Sequence, residues 1–225
     1  MPQKPNPATP NEDSRRPIAA RNSSWAGGIA RKLSGTGITP NQISFFSMVF
    51  GAAALGFYGL YASTDTTGLW ATGWPLLCAA LCIQMRLLCN LFDGMVALEG
   101  GKASGDGPFW NEFPDRIADI FIIVGAGLAA ASLMLGWAAA ALAVCVAYVR
   151  ELGRANGLPA DFSGPMAKQH RMALLTLATL VSIFEPLWSQ SAQILFYALW
   201  IVAIGSAITI IRRAVNQVKA LKAKA

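Results

Sequence analysis

Charged side chains are scarce in this sequence. Asp, Glu, Lys and Arg make up 13% of its 225 residues, whereas a soluble domain carries about 25%. Hydrophobic residues make up 54%, and they are gathered in runs long enough to cross a bilayer. The composition therefore predicts an all-α, polytopic membrane protein rather than a soluble domain.

Paired cysteines and histidine clusters are also lacking. The four cysteines lie in apolar segments without a CxxC pair, which argues against a structural disulfide or a zinc site. His170 is the only histidine, so a histidine-based site is disfavoured. The first 40 residues lack the early apolar core of a signal peptide, and residues 1–22 are predicted to be a disordered cytoplasmic N-terminus.

Apolar runs predict the membrane spans. About 20 residues are needed for each crossing, and the sequence contains six such stretches. They cover residues 42–62, 74–98, 115–135, 137–153, 171–188 and 192–213, with a tight turn predicted near Leu135 and Gly136. Residues 23–213 are accordingly expected to form one membrane domain, followed by a basic cytoplasmic tail over 214–225.

Basic residues predict the orientation of the chain. The connections after the first, third and fifth spans lack Lys and Arg, while the opposite connections and both termini carry them. The positive-inside rule then places both termini in the cytoplasm, in a multi-pass protein of the cell inner membrane. Because the basic residues are scattered over several loops, a nucleic-acid partner is not expected.

A short segment before the first span has amphipathic spacing. Trp25, Ile29 and Leu33 recur every four residues, beside Arg31 and Lys32. This pattern predicts a juxtamembrane helix on the cytoplasmic lipid surface. An ordinary linker remains the alternative, since two adjacent glycines weaken a helix.

Polar residues gather where the second span ends and the third begins. Asn90 and Asp93 are three residues apart and share a helix face with Arg86, whereas Asp115 and Asp119 are four apart. Pro114 suits a helix start at Asp115. Two helix ends on one side of the membrane are therefore expected to project oxygen ligands toward each other.

Clustered carboxylates repel one another unless a cation joins them. Mg²⁺ prefers such oxygen ligands and keeps positions open for phosphate, and a two-metal site is able to neutralise a diphosphate. The pattern thus favours nucleotide-diphosphate chemistry at a lipid interface. Two alternatives remain: the acids pair with Arg86, Lys102 or Arg116 in helix packing, or they line an ion pathway.

These residues resemble the signature of the CDP-alcohol phosphatidyltransferase family, D-x2-D-G-x2-A-R followed by G-x3-D-x3-D. The matching positions are Asn90, Asp93, Gly94 and Ala97, then Asp115 and Asp119. The resemblance implies six transmembrane helices, a homodimer, and transfer of a phosphatidyl group from CDP-diacylglycerol to a small alcohol with release of CMP. It also implies Mg²⁺ or Mn²⁺, expected as two ions, on the four acid-motif positions.

The resemblance further assigns roles to single residues. Asp119 corresponds to the proposed general base, while Gly94 and Ala97 lie beside the CDP-lipid. The sequence departs from the signature at Asn90, at Leu98 in place of Arg, and at Asn111 in place of Gly. Lys102 is the candidate substitute for the missing Arg. These departures indicate a variant bacterial subfamily, with a catalytically inactive member that binds nucleotide-lipid or a membrane partner as the alternative.

The acceptor site is predicted in the next cytoplasmic loop. Arg150 with Glu151 resembles a pair found in relatives that use phosphorylated acceptors, and Lys168 and Arg171 resemble the basic residues opening the fifth span of the family. Such side chains suit an acceptor phosphate, for which glycerol 3-phosphate is the first expectation. The alternative is that they are positive-inside residues without a ligand.

Overall fold

A computed structural model describes residues 24–64, 68–99, 101, 104–188 and 193–224. All regular elements in these ranges are helical, as the composition predicts. Seven are α-helices and one is a short 3-10 turn at Glu185–Leu187. The α-helices are α1 (Ser24–Gly35), α2 (Pro40–Ala62), α3 (Leu69–Glu99), α4 (Gly107–Ala129), α5 (Leu133–Ala155), α6 (Lys168–Ser182) and α7 (Gln193–Lys222).

Four helices in the described ranges are long and apolar enough to cross a bilayer, where six spans are predicted. They comprise Pro40–Ala62, Gly73–Ala97, Leu133–Ala155 and Gln193–Lys222. The other two predicted spans correspond to α4 and α6, which are not among these four helices, for physical reasons. The N-terminal part of α4 carries four charged residues, namely Glu112, Asp115, Arg116 and Asp119, and α6 has 15 residues, about 22 Å of helix.

Two predicted boundaries around α4 are wrong. The helix begins at Gly107, so Pro114 lies inside it rather than at its start. The turn into α5 lies at Ala130–Ser132, not near Gly136. Ala131 takes the left-handed φ of 50° that reverses the chain there, and Gly136 lies within α5.

Helix α1 forms where the amphipathic pattern predicts one. Its small residues Ala26 and Ala30 are buried against Leu91 and Met95 of α3. Trp25 remains 51% exposed while its ring edge meets Phe92 of α3. The helix therefore packs on α3 through alanines, while Trp25 and Ile29 stay exposed and Leu33 packs against Ile43, Cys89 and Val96.

Glycines set the spacing of α2, α4 and α5. A Cβ at Gly51 of α2 would lie 2.8 Å from the Ala118 Cα of α4. Likewise, a Cβ at Gly127 of α4 would lie 2.6 Å from the Gly136 Cα of α5. These three helices pack backbone to backbone, which fixes the depth of the α4 aspartates beside α2 and α3.

Helix α7 extends past the predicted end of the last span. It continues through Lys222, so most of the predicted basic tail is helical. Arg213 donates to the carbonyls of Ser163 and Val146, and Gln217 donates to Val149. The tail end of α7 is thereby tied to α5 and to the loop before α6.

Candidate functional site

Asp93 of α3 is held by neutral hydrogen-bond donors. Ser44 Oγ donates to Asp93 Oδ2 at 2.7 Å, and the Gly94 backbone N–H donates to Oδ1. Ser44 sits one turn into α2, whose start is fixed by a capping box between Thr39 and Gln42 and by Pro40. The local start of α2 therefore positions the hydroxyl that orients Asp93.

Arg86 of α3 joins the two aspartates of α4. Its Nη2 lies 2.5 Å from Asp119 Oδ1 and 3.2 Å from Asp115 Oδ1. All three side chains are buried, and Arg86 has 0% exposure. Arg86 thus links α3 to both aspartates of α4, while Asp93 is also buried on α3 and interacts electrostatically with Asp115.

Two basic residues of α6 complete the acid cluster. Lys168 Nζ donates to Asp115 Oδ2. Arg171 Nη2 donates to Asp119 Oδ2 at 3.1 Å, while its Nη1 donates to the Met166 carbonyl. Both oxygens of Asp119 are therefore occupied by buried arginines, whereas Asp115 Oδ2 meets a lysine whose side chain is 20% exposed.

A second layer of ion pairs connects the cluster to α5. Arg116 Nη2 lies 3.5 Å from both Asp115 Oδ2 and Glu112 Oε2. Arg150 Nη2 lies 2.6 Å from the same Glu112 oxygen, and its Nε lies 2.9 Å from Glu151. The predicted acceptor residue Arg150 is therefore linked to Asp115 through Glu112 and Arg116.

Asp106, outside the membrane segments, anchors the start of α4. Hydrogen bonds from Ser104, Asn41 and Trp110 lower the pKa of its carboxyl. The Asn41 contact, 3.2 Å long, ties this end of α4 to the first turn of α2. The same two helices are thus fixed at their ends as well as at Gly51.

Most predicted site residues lie within this arrangement. Asn90 is half-buried on α3 between Arg86 and Asp93, and its Nδ2 is buried without a hydrogen-bond partner in the described part of the chain. Gly94 and Ala97 follow on α3. Lys102 lies outside the described residues. The predicted pairing of the acids with Arg86 and Arg116 is present.

Sequence reasoning missed Ser44 and Glu112. Ser44 lies in TPNQIS, residues 39–44, which open the first span, and a hydroxyl beside the apolar residues that follow was the available signal. Glu112 precedes Asp115 by three residues, so a helix extended back to Gly107 puts both on one face. The misplaced start of α4 concealed it.

The donor set bears on whether a divalent ion fits. In the described residues no three carboxyl, histidine or cysteine side chains are arranged as a ready metal site. Asp93 nevertheless accepts only from neutral donors, and Asp115 Oδ2 meets side chains that reach solvent. Oxygen ligands of this kind suit a divalent ion, which would take the place of Lys168 at Asp115 Oδ2.

A sequence relative and several solved structures resemble the chain. No family model matches it. A phosphatidylinositol phosphate synthase from Streptomyces avermitilis is 30% identical over 142 residues, which cover 60% of this chain. The match spans 58% of the length of that curated relative.

The solved structures share the fold. The phosphatidylinositol phosphate synthase of Mycobacterium tuberculosis with CDP-DAG bound matches with a TM-score of 0.71 and 20% identity, covering 87% of this chain and 94% of that one. Its complex with manganese and citrate gives a TM-score of 0.70 at 20% identity, over 85% and 88% of the two chains. The helical arrangement described above is therefore the fold of those synthases.

Proposed function

We propose that the chain is a member of the CDP-alcohol phosphatidyltransferase family and an enzyme that transfers a phosphatidyl group from CDP-diacylglycerol to a small alcohol, releasing CMP. One observation carries the proposal: Asp93 of α3 and Asp115 and Asp119 of α4 converge in one buried cluster. These are the acids of the family motif, and buried acids at a membrane helix end call for a function.

We propose an inositol phosphate as the acceptor to test first. The sequence-based expectation of glycerol 3-phosphate has no support from the relatives, which are named phosphatidylinositol phosphate synthases. Both acceptors carry a phosphate, for which the Arg150, Lys168 and Arg171 cations are suited. Each of these cations is paired with a carboxylate, so an acceptor phosphate has to compete with those pairs.

Asp93, Asp115 and the Asn90 carbonyl are the residues we propose to hold a divalent ion, Mg²⁺ or Mn²⁺. When bound, such an ion would neutralise diphosphate oxygens and stabilise the departing CMP. A relative of the same fold has been solved with manganese. Ser44 fixes the rotamer of Asp93, and Gly94 and Ala97 leave room beside α3 for the CDP-lipid.

The proposed reaction is an attack of the acceptor hydroxyl oxygen on the lipid-linked phosphorus. The bond from that phosphorus to the bridging oxygen breaks, and CMP carries the electron pair away. Asp119 is proposed to take the hydroxyl proton. Because Arg86 and Arg171 hold both of its oxygens, one ion pair has to open before Asp119 accepts the proton.

We propose that α2 to α7 all span the inner membrane, with α1 on the cytoplasmic surface and both termini cytoplasmic. The charged face of α4 is turned to α3 and α6 through its ion pairs. The free-energy cost of exposing those charges to lipid is therefore avoided. After the short α6 ends at Ser182, the chain passes through a turn at residues 183–184 into the 3-10 turn. Residues 23–213 then form the catalytic domain, and a homodimer is proposed on family grounds.

The test is CMP release by the purified protein in detergent. The assay contains CDP-diacylglycerol, Mg²⁺ or Mn²⁺, and in turn inositol phosphate, glycerol 3-phosphate, inositol and serine. Metal-dependent CMP release with one acceptor, abolished by a chelator, is expected. Absence of turnover with every acceptor contradicts the enzymatic proposal.

A second candidate function is a non-catalytic protein that binds nucleotide-lipid or a membrane partner. Specific observations favour it: Asn90 replaces the first acid of the motif, and four cationic side chains already pair with the α4 acids. Binding of CDP-diacylglycerol without turnover, in both the wild type and Asn90→Asp, supports this candidate. Turnover in the wild type rejects it.

A further inference from the structure

We propose that the site holds one divalent ion rather than two, because the Arg86 guanidinium is fixed where an ion shared by Asp115 and Asp119 would lie. The inference rests on the proposed function, since it takes the motif acids as the metal-binding residues. It departs from the two ions that the family resemblance implies.

The position of Arg86 is the first argument. One oxygen from each α4 aspartate, Asp115 Oδ1 and Asp119 Oδ1, faces the same nitrogen, Arg86 Nη2. A cation shared by two carboxylates takes that bridging position. Arg86 comes from α3 and has 0% exposure, so its charge cannot turn to solvent without disturbing the packing around it. A guanidinium and a dication at one buried point exclude each other by volume and by charge repulsion.

The unused donors of Arg86 are the second argument. Its Nε and Nη1 are buried and have no hydrogen-bond partner within the described ranges. An arginine that serves helix packing normally uses more of its five N–H donors, and leaving buried donors unpaired is unfavourable. Arg86 instead engages through Nη2 alone. Its charge between the two carboxylates therefore accounts for its place better than hydrogen bonding does.

Asn90 is the third argument. It lies one turn from Arg86 on α3, and it offers a neutral amide where the family motif has an acid. Asn90 carries no charge where the motif has an acid, and Arg86 places a positive charge between the α4 carboxylates. The site therefore offers less negative charge to cations than its carboxylates alone would. The oxygens of Asp93 and Asp115 Oδ2, with the Asn90 carbonyl, remain for a single ion.

The experiment counts bound Mn²⁺ on the full-length protein in detergent, from the electron paramagnetic resonance signal of free Mn²⁺. We expect one ion per chain in the wild type. In the double variant Arg86→Gln with Asn90→Asp we expect two, because the bridging position is vacated and the missing charge restored. Arg116→Gln removes a cation that pairs with Asp115 Oδ2 rather than with the two Oδ1 atoms that Arg86 joins, and it is the matched control, expected to bind one ion. Arg86→Lys keeps the charge and is also expected to bind one.

Each outcome has a defined consequence. The inference is overturned if the wild type binds two ions, or if a folded wild type binds none. It is also overturned if the double variant is monodisperse, melts cooperatively and still binds a single ion. If the double variant does not fold, Asn90→Asp alone decides: it is expected to stay at one ion, and two ions overturn the inference. One ion without CMP release in any acceptor mixture defeats the proposed function while this inference stands, so the two failures are distinguishable.

Discussion

At the scale of single residues, the site is a balance of buried charges. Asp119 is held by two buried arginines, whereas Asp93 meets only neutral donors. Removing one partner of a buried pair leaves an uncompensated charge, at a cost of about 3–5 kcal/mol. The two aspartates therefore differ in what their replacement does to stability.

Asp93→Asn and Asp119→Asn are both expected to abolish CMP release, but their melting temperatures should differ. Asp93→Asn should leave the melting temperature in detergent near that of the wild type, because its neutral donors tolerate an amide. Asp119→Asn should lower it, since Arg86 and Arg171 lose their shared carboxylate. The control is Asp106→Asn on the exposed start of α4. Wild-type CMP release in either variant would remove the proposed mechanism.

Ser44→Ala tests the hydroxyl that orients Asp93. Losing this buried hydrogen bond leaves one carboxylate oxygen unpaired, which costs about 1–3 kcal/mol. We expect Mn²⁺ affinity and CMP release to fall at least several-fold. Ser47→Ala is the matched control, because its hydroxyl donates to the Ser44 carbonyl within the same helix. Equal behaviour of the two variants contradicts a specific role for Ser44.

At the scale of helices, the distance between α2 and α4 decides where the acids lie. Gly51 faces Ala118, the residue directly before Asp119, across a backbone contact. A change of helix spacing at this point is therefore transmitted to Asp119 and to its pairs with α3 and α6. The glycine is thus part of the positioning of the site although it bears no side chain.

Gly51→Ala is expected to destabilise the protein and to reduce CMP release. The added Cβ meets the Ala118 Cα at 2.8 Å, and overpacking of this kind costs about 1–3 kcal/mol. The measurement is thermal unfolding in detergent together with CMP release. Gly56→Ala on the same helix meets nothing within 4 Å and should be neutral or stabilising, because alanine is the better helix former. A Gly51→Ala protein that behaves like Gly56→Ala contradicts the close approach.

At the scale of the whole molecule, charge asymmetry predicts which side each connection faces. The residues after α2 and after α5 lie on opposite sides if each of the helices α2 to α5 spans. Ser63 and Asn156 are exposed at these two places. They are therefore suitable positions for a chemical test of orientation.

Single cysteines at Ser63 and Asn156, in a chain whose four native cysteines are replaced by alanine, should react differently with a membrane-impermeant maleimide. Ser63→Cys is expected to label in intact spheroplasts, because its connection lacks Lys and Arg. Asn156→Cys, beside Arg150 and Arg154, is expected to label only after permeabilisation. The opposite pattern contradicts the proposed orientation.

The sequence by itself determined the helical membrane class and the residues of the acid cluster. Long apolar runs and 3.6-residue spacing are local properties, so they are readable without a fold. The family motif supplied the match of Asp93, Asp115 and Asp119. The sequence placed α4 too late and the turn at Gly136, because Pro114 and Gly136 favour breaks locally while helix packing keeps both inside helices.

Only the tertiary structure decided which cation each acid meets. Arg86, Lys168 and Arg171 come from two helices far apart in sequence, and nothing in their spacing selects Asp115 or Asp119 as a partner. That choice depends on helix depth, which the contacts of Gly51 and Gly127 set. Spacing along one helix is fixed by backbone geometry, whereas pairing between helices is fixed by how closely their backbones approach.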